Sequence, residues 1–105
     1  MVSLNGKGGP QRQVTGKALF RLGMGVCTPA AAEVMERHGV SPIILSAMHA
    51  SGIWGDVPPE DAAANEDALK TGARIMSVYK FGDDTLWIIT EADRSATTIL
   101  TPSDY

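Results

Sequence analysis

The segments R-I-M-S-V-Y-K (residues 74–80), F-G-D-D (81–84), T-L-W-I-I-T-E (85–91), A-D (92–93) and R-S-A-T-T-I-L-T (94–101) follow one another through the last third of the chain. Three runs rich in β-branched and aromatic residues are separated by turn-forming residues, the composition of strands joined by tight turns. Connections this short force neighbouring strands to run antiparallel, so the segment predicts a three-stranded antiparallel β-meander. On its middle strand Trp87 and Ile89 share one face, and Leu86, Ile88 and Thr90 share the other. Both faces are therefore substantially apolar. Helices are expected on one, and the other calls for a cover from the N-terminal strand, a loop or a second subunit.

Upstream of the meander the signals are helical. Thr28-Pro29 and Ser41-Pro42 each place a hydroxyl at a helix N-cap and a proline at the first helical position, where no hydrogen bond is lost. The first helix ends with Arg37 and His38 before Gly39, and the second, with Ile44, Leu45 and Met48 on one face, ends at Gly52. Together they predict an αα-hairpin. A third helix is expected from about Pro58 to Thr71, capped by Asp56 or Val57, with Glu60 and Asp61 favourably placed in its first turn and Ala64 and Ala68 forming a small-residue stripe. The apolar run from Ala18 to Cys27 suits an N-terminal strand bent at Gly23 and Gly25. Residues 1–16, rich in glycine and without apolar periodicity, read as a flexible arm. The expected class is α+β: an N-terminal strand, a helical hairpin, a third helix and the meander, in one domain over 17–105.

Composition narrows the function. A chain of 105 residues with 44% hydrophobic and 20% charged residues is of the size and make-up of one globular domain. Its single cysteine, Cys27, excludes an internal disulfide. With no Cys/His cluster and no glycine-rich βα turn, neither a metal nor a nucleotide cofactor is expected. No apolar run approaches a membrane span and no secretory leader is evident, so the expected location is cytoplasmic. The net charge of -3 gives no general attraction to nucleic acid.

Several residues could carry chemistry. His49, near the end of the second helix and close in sequence to Trp54 and Asp56, suits a general base or acid, although a helix-end histidine meeting the dipole accounts for it as well. Arg74 falls on the strand face opposite Ser77 and Tyr79. Glu91, Asp93, Arg94 and Ser95 form a polar corner followed by Thr97 and Thr98 on opposite faces. Asp93 there reads first as turn chemistry, while an arginine beside hydroxyls also makes an anion grip.

The pieces H-A-S-G-I-W-G-D (49–56), E-D-A-A-A-N-E-D-A-L (60–69), G-A-R-I-M-S-V-Y (72–79) and above all W-I-I-T-E-A-D-R-S-A-T-T-I-L-T-P-S-D-Y (87–105) resemble a family of small proteins of unknown activity carried on bacterial plasmids and other mobile elements. The resemblance covers Leu45 to Tyr105 and, more weakly, extends back to Leu22. Where the family pattern reads G-D-W-G-D this chain has Ile53 in place of the carboxylate. The resemblance implies an accessory protein of a mobile element. From the residues, the leading expectation is a protein, more often non-enzymatic than not, that binds a macromolecular partner or a second copy of itself, with Trp54, Asp56, Arg74, Tyr79, Thr97 and Thr98 as binding candidates. The first alternative is a metal-free ribonuclease of barnase or toxin layout, with His49 or Glu91 as base and Arg94 or Arg74 stabilising the phosphorane. The second is a small-molecule binder whose pocket is walled by Met48, Trp54 and Met76.

Overall fold

The computed structural model describes residues 12–14 and 16–105. In chain order the elements are strand β1 (Met24–Cys27), helices α1 (Pro29–His38), α2 (Pro42–Ala50) and α3 (Pro59–Thr71), strands β2 (Ile75–Phe81), β3 (Asp84–Thr90) and β4 (Ala96–Leu100), and a final 3-10 turn (Pro102–Asp104). The strands form one sheet in the order β1-β4-β3-β2. β2, β3 and β4 are the antiparallel meander expected from their turns, with Ser77 opposite Ile88 and Ile88 opposite Ile99. The sheet as a whole is mixed, which corrects the expectation of three antiparallel strands alone: β1 lies parallel to β4, Gly25 beside Thr97. The physical reason is topological. After β1 the chain runs through all three helices before entering β2, so β1 takes the vacant side of β4, a partner far along the sequence that no turn signal announces.

β1 is also shorter than the apolar run from Ala18 suggested. Gly23, at φ +66, breaks the extended backbone, and a Cβ there would meet the Ser95 carbonyl carbon at 2.4 Å. The preceding residues form an irregular strap across α2, where the Leu19 amide donates to the Ala50 carbonyl at 2.8 Å. Residues 1–11 and 15 of the proposed arm lie outside the described residues. Arg12, within the same arm, is held by Glu66 and the Gly52 carbonyl.

The helix ends follow the capping chemistry of the sequence. Thr28 Oγ1 accepts from the Ala31 amide and Ser41 Oγ from the Ile43 amide, both at 3.1 Å, and Gly39 closes α1 at φ +65. Arg37 and His38 then reach Asp84 at the β2–β3 turn, each at 2.7 Å, so the end of α1 is tied to the hairpin. α3 differs from expectation. Its N-cap is Pro58, without a side-chain bond, and neither Asp56 nor Val57 serves; Glu60 and Asp61 complement its dipole instead. Its buried stripe is Ala62, Asn65 and Ala68 rather than Ala64 and Ala68. On α2 the buried face is Leu45, Met48 and His49, while Ile44 is exposed.

Alternation along the strands sorts their side chains as the sequence predicted. Ile75, Ser77, Tyr79, Leu86, Ile88, Thr90, Thr97 and Ile99 are buried and share one face by register. Tyr79, Leu86, Ile88 and Ile99 pack there with Ala31, Val34 and Met35 of α1 and Leu45 and Met48 of α2. Each large aliphatic side chain buried in this layer contributes about 1.5–3 kcal/mol. Ile53 belongs to the same core. A second cluster gathers Trp54, Val57, Ala62, Ala68 and Ile75 under α3. The opposite sheet face carries Met76, Val78, Trp87, Ile89, Thr98 and Leu100, and β1 extends that sheet sideways instead of covering it.

The outer edge of β2 is closed at Met76 and Val78. The Asn65 amide donates to the Met76 carbonyl at 2.7 Å and accepts from the Met76 amide at 3.2 Å, standing in for a neighbouring strand. Further along, Val78 donates to the Trp54 carbonyl and accepts from the Asp56 amide. That approach requires Gly55, at φ +77, because a Cβ would sit 2.0 Å from the Val78 oxygen.

Candidate functional site

The residues singled out for catalysis are all placed by the fold, but around no common opening. His49 is wholly buried on α2, at the centre of a chain of polar contacts. Its Nδ1 lies 2.6 Å from Ser77 Oγ and its Nε2 2.9 Å from Thr90 Oγ1; Thr90 meets Thr97 at 2.7 Å, and Thr97 Oγ1 donates to the Leu22 carbonyl at 2.7 Å. That terminal carbonyl sets every proton in the chain. Since Leu22 can only accept, Thr97 spends its hydrogen there, Thr90 must donate to Thr97, and His49 Nε2–H must donate to Thr90. Nδ1 is left as the acceptor for the Ser77 hydroxyl. The result is a neutral imidazole with all its polar partners satisfied, and burial, reinforced by the Arg94 charge, pulls its pKa down to about 3. Phe20 and Trp54 pack against the ring edge-on, at centroid distances of 5.1 and 6.1 Å.

Arg94 is occupied by carbonyl oxygens. Its Nη1 donates to Ala73 at 2.7 Å, Glu91 at 3.1 Å and Ala92 at 3.3 Å, and its Nη2 to Ala68 at 3.1 Å. The guanidinium also covers the Phe20 ring, 5.6 Å from the centroid. Arg94 therefore staples the last turn of α3 to the β3–β4 corner. To do so it takes φ 60, which no other described non-glycine residue does. Asp93 is the turn residue expected, accepting from the Ser95 amide at 2.9 Å, and the Ser95 side chain, together with this amide bond, holds its carboxylate below the usual range. Glu91 is exposed, with its backbone amide bonded to Ala96. His49, Arg94 and Glu91 thus point apart, one into the core, one along the backbone and one to solvent.

The binding candidates separate likewise. Trp54 is fully buried, its indole donating to Glu66 at 2.9 Å beneath the Arg12 guanidinium. The Arg12 pair and this indole bond together hold the Glu66 carboxyl below its ordinary range. Tyr79 is buried and donates to the Ile53 carbonyl, and burial pushes its phenol upward. Thr97 belongs to the His49 chain, and Met48 to the core. Asp56 is an exposed loop residue, Thr98 lies half-buried on the far sheet face, and Arg74 reaches solvent at the edge of that face.

Around Arg74 the structure assembles a cleft of about 360 Å³, lined by Asp61, Ala64 and Asn65 of α3, by Met76 and Trp87 of the sheet, and by Arg74 and Tyr105. Trp87 and Tyr105 meet edge to face at 5.4 Å. Arg74 Nη2 donates to the Tyr105 hydroxyl at 2.8 Å with the guanidinium 5.2 Å from the ring centroid. Four of its five N–H donors have no partner among the described residues, and the Asp61 carboxylate has none either. An apolar aromatic floor with opposite charges on its two sides is suited to hold an amphipathic ligand. Of this group Arg74, Met76 and Trp87 were legible as candidates, Trp87 as an aromatic on a strand face that calls for a cover. Asp61 reads from the sequence as a helix-dipole residue. Tyr105 carried no signal, because nothing in a sequence places a residue beyond the last strand back over the sheet.

The fold and these sites define a small mixed-sheet α+β domain with an internal polar chain and one open aromatic cleft. Comparison of the chain with models of known protein families, with curated proteins and with solved structures finds no match. Among the described residues no helix is long and apolar enough to cross a membrane.

Proposed function

We propose that this protein acts by binding, with the cleft beneath Trp87 and Tyr105 as its recognition surface. One observation carries the reading: His49 and Arg94 are consumed by the fold and Glu91 stands away from both, whereas Asp61, Arg74 and Trp87 converge on open space. The partner best matched is a segment of another macromolecule that presents an apolar or aromatic side chain to Met76 and Trp87, an acidic group to Arg74 and a basic group to Asp61. The resemblance of residues 87–105 to small proteins of plasmids and other mobile elements suggests the setting, an accessory protein acting in the cytoplasm. A second reading is favoured by the size of the cleft, which falls in the ~300–1,000 Å³ range of small-ligand sites. An aromatic zwitterion would satisfy the same three groups.

Magnetic resonance on isotope-labelled protein tests both. Short peptides with an aromatic residue flanked by lysine and glutamate, and free aromatic amino acids, are titrated in turn. Perturbations should centre on Asp61, Arg74 and the Trp87 indole, and Trp87→Ala should weaken binding tenfold or more, the loss of a buried aromatic anchor at ~1.4 kcal/mol per decade. Which probe binds separates the two readings, and perturbations centred elsewhere exclude this cleft. Incubation with total RNA in chelator should leave the RNA intact. Cleavage that disappears in Glu91→Gln would overturn the binding reading in favour of catalysis.

A further inference from the structure

The sheet has two edges and only one is closed. β2 is covered by Asn65 and the 54–56 loop, whereas β1 is exposed along its whole length, Met24 at 70% and Val26 at 43%. Met24 and Thr28 turn their amides inward to Ser95 and Ile99, at 2.9 and 3.0 Å. Backbone direction alternates along a strand, so Gly25 and Cys27 turn their N–H and C=O groups outward. Among the described residues those groups take no partner. The strand M-G-V-C carries none of the lysines, prolines or inward charges that commonly guard an edge.

We infer that two copies of this chain join along β1, antiparallel, about a twofold axis at Val26. Within the four residues of the strand, one register engages the outward groups of both Gly25 and Cys27 on each chain. It pairs Gly25 with the partner's Cys27 and the reverse by hydrogen bonds, which sets Val26 against its own counterpart in a non-hydrogen-bonded pair. The side chains agree. Gly25 and Cys27 point to the helix face, where a Cβ on Gly25 would meet nothing within 4 Å, so the partner's Cys27 side chain has room opposite it. On the other face Met76, Ile89, Thr98 and Val26 lie in one row across the strands, and the twofold axis continues that row through the partner. No charged residue lies on β1, so no like charges oppose. Because β2 is closed, association stops at two copies instead of propagating as a fibre. This inference does not rest on the cleft reading, since the cleft opens over β2 and β3 while the interface runs along β1 on the opposite edge.

The test combines mass and cross-linking. Light scattering at submillimolar concentration should show a mass approaching twice the 11.1 kDa of the chain. Gly25→Pro, which removes an outward N–H and is tolerated on an edge, and Val26→Lys should each return it to the single-chain mass with an unchanged circular dichroism spectrum. Under mild oxidation the double variant Val26→Cys, Cys27→Ser should form an intermolecular disulfide. The native Cys27 should not, because in this register its Cα lies ~8 Å from its counterpart, too far to bridge. A single-chain mass at all concentrations overturns the inference, as does a dimer that survives both edge variants. Ready cross-linking through native Cys27 excludes the Val26 register, and a monomer whose Gly25 and Cys27 amides resist exchange shows the edge covered within its own chain.

Discussion

At His49 the sequence offered a residue type and the fold decided its use. A histidine near a helix end beside an aromatic loop suited either a general base or a structural role, and the ambiguity is inherent because both roles need the same ring. The structure spends both ring nitrogens, one on Ser77 and one on Thr90, with the ring wholly buried. The consequence is a pH dependence of stability. His49 in the unfolded chain titrates near its ordinary 6.5, while in the fold it stays neutral down to about 3. Between those values the unfolded state binds the extra proton, so stability is full above pH 6.5 and falls as pH drops, by up to about 1.4 kcal/mol per unit. Denaturant titrations at pH 7 and pH 5 should show the loss. His49→Gln should be less stable at pH 7 yet lose less stability than the native chain over the same interval. The carboxylates with depressed values, among them Glu66 and Asp84, lose their contribution only as pH falls through the acid range, so they do not mimic the effect between pH 7 and 5.

Individual elements were legible where their signals are local. Thr28-Pro29 and Ser41-Pro42 start the helices they announced, and the three β-rich runs are the three strands. What escaped was the closing of elements against one another. Arg94 read as an anion grip because arginine beside hydroxyls commonly is one, and only its position over the end of α3 shows that it binds carbonyls. Replacing it with alanine frees several acceptors at once and should cost about 2–3 kcal/mol in chemical denaturation. Arg94→Lys should recover little, since one ammonium cannot reproduce the planar fork that serves Ala68 and Ala73 together. Asn65 was read merely as part of a helix. Its amide closes the β2 edge, so Asn65→Leu leaves the Met76 N–H and C=O unpaired at about 1–3 kcal/mol, measurable as a lowered denaturation midpoint.

Across the whole molecule, stability is graded from β2 and β3 toward β1. The meander pairs neighbours in sequence and buries its residues on the helix face, whereas β1 is four residues long, exposed and paired only with β4. Hydrogen exchange in the native state should therefore find the β2–β3 amides protected to the global limit and the Met24 and Val26 amides opening first, because local opening follows burial. Dimerisation along β1 would add protection at Gly25 and Cys27, so the same experiment at two concentrations connects the gradient to the proposed interface. The sequence by itself determined the α+β class, the starts of α1 and α2, the meander and which strand residues share a face, because capping, turn chemistry and the two-residue strand period act between neighbours. Only the tertiary structure decided that β1 runs parallel to β4, that His49 and Arg94 serve the fold, and that Asp61, Arg74, Trp87 and Tyr105 meet in one cleft. Those outcomes depend on contacts between residues far apart in the chain, and no local preference encodes which distant surface a residue will meet.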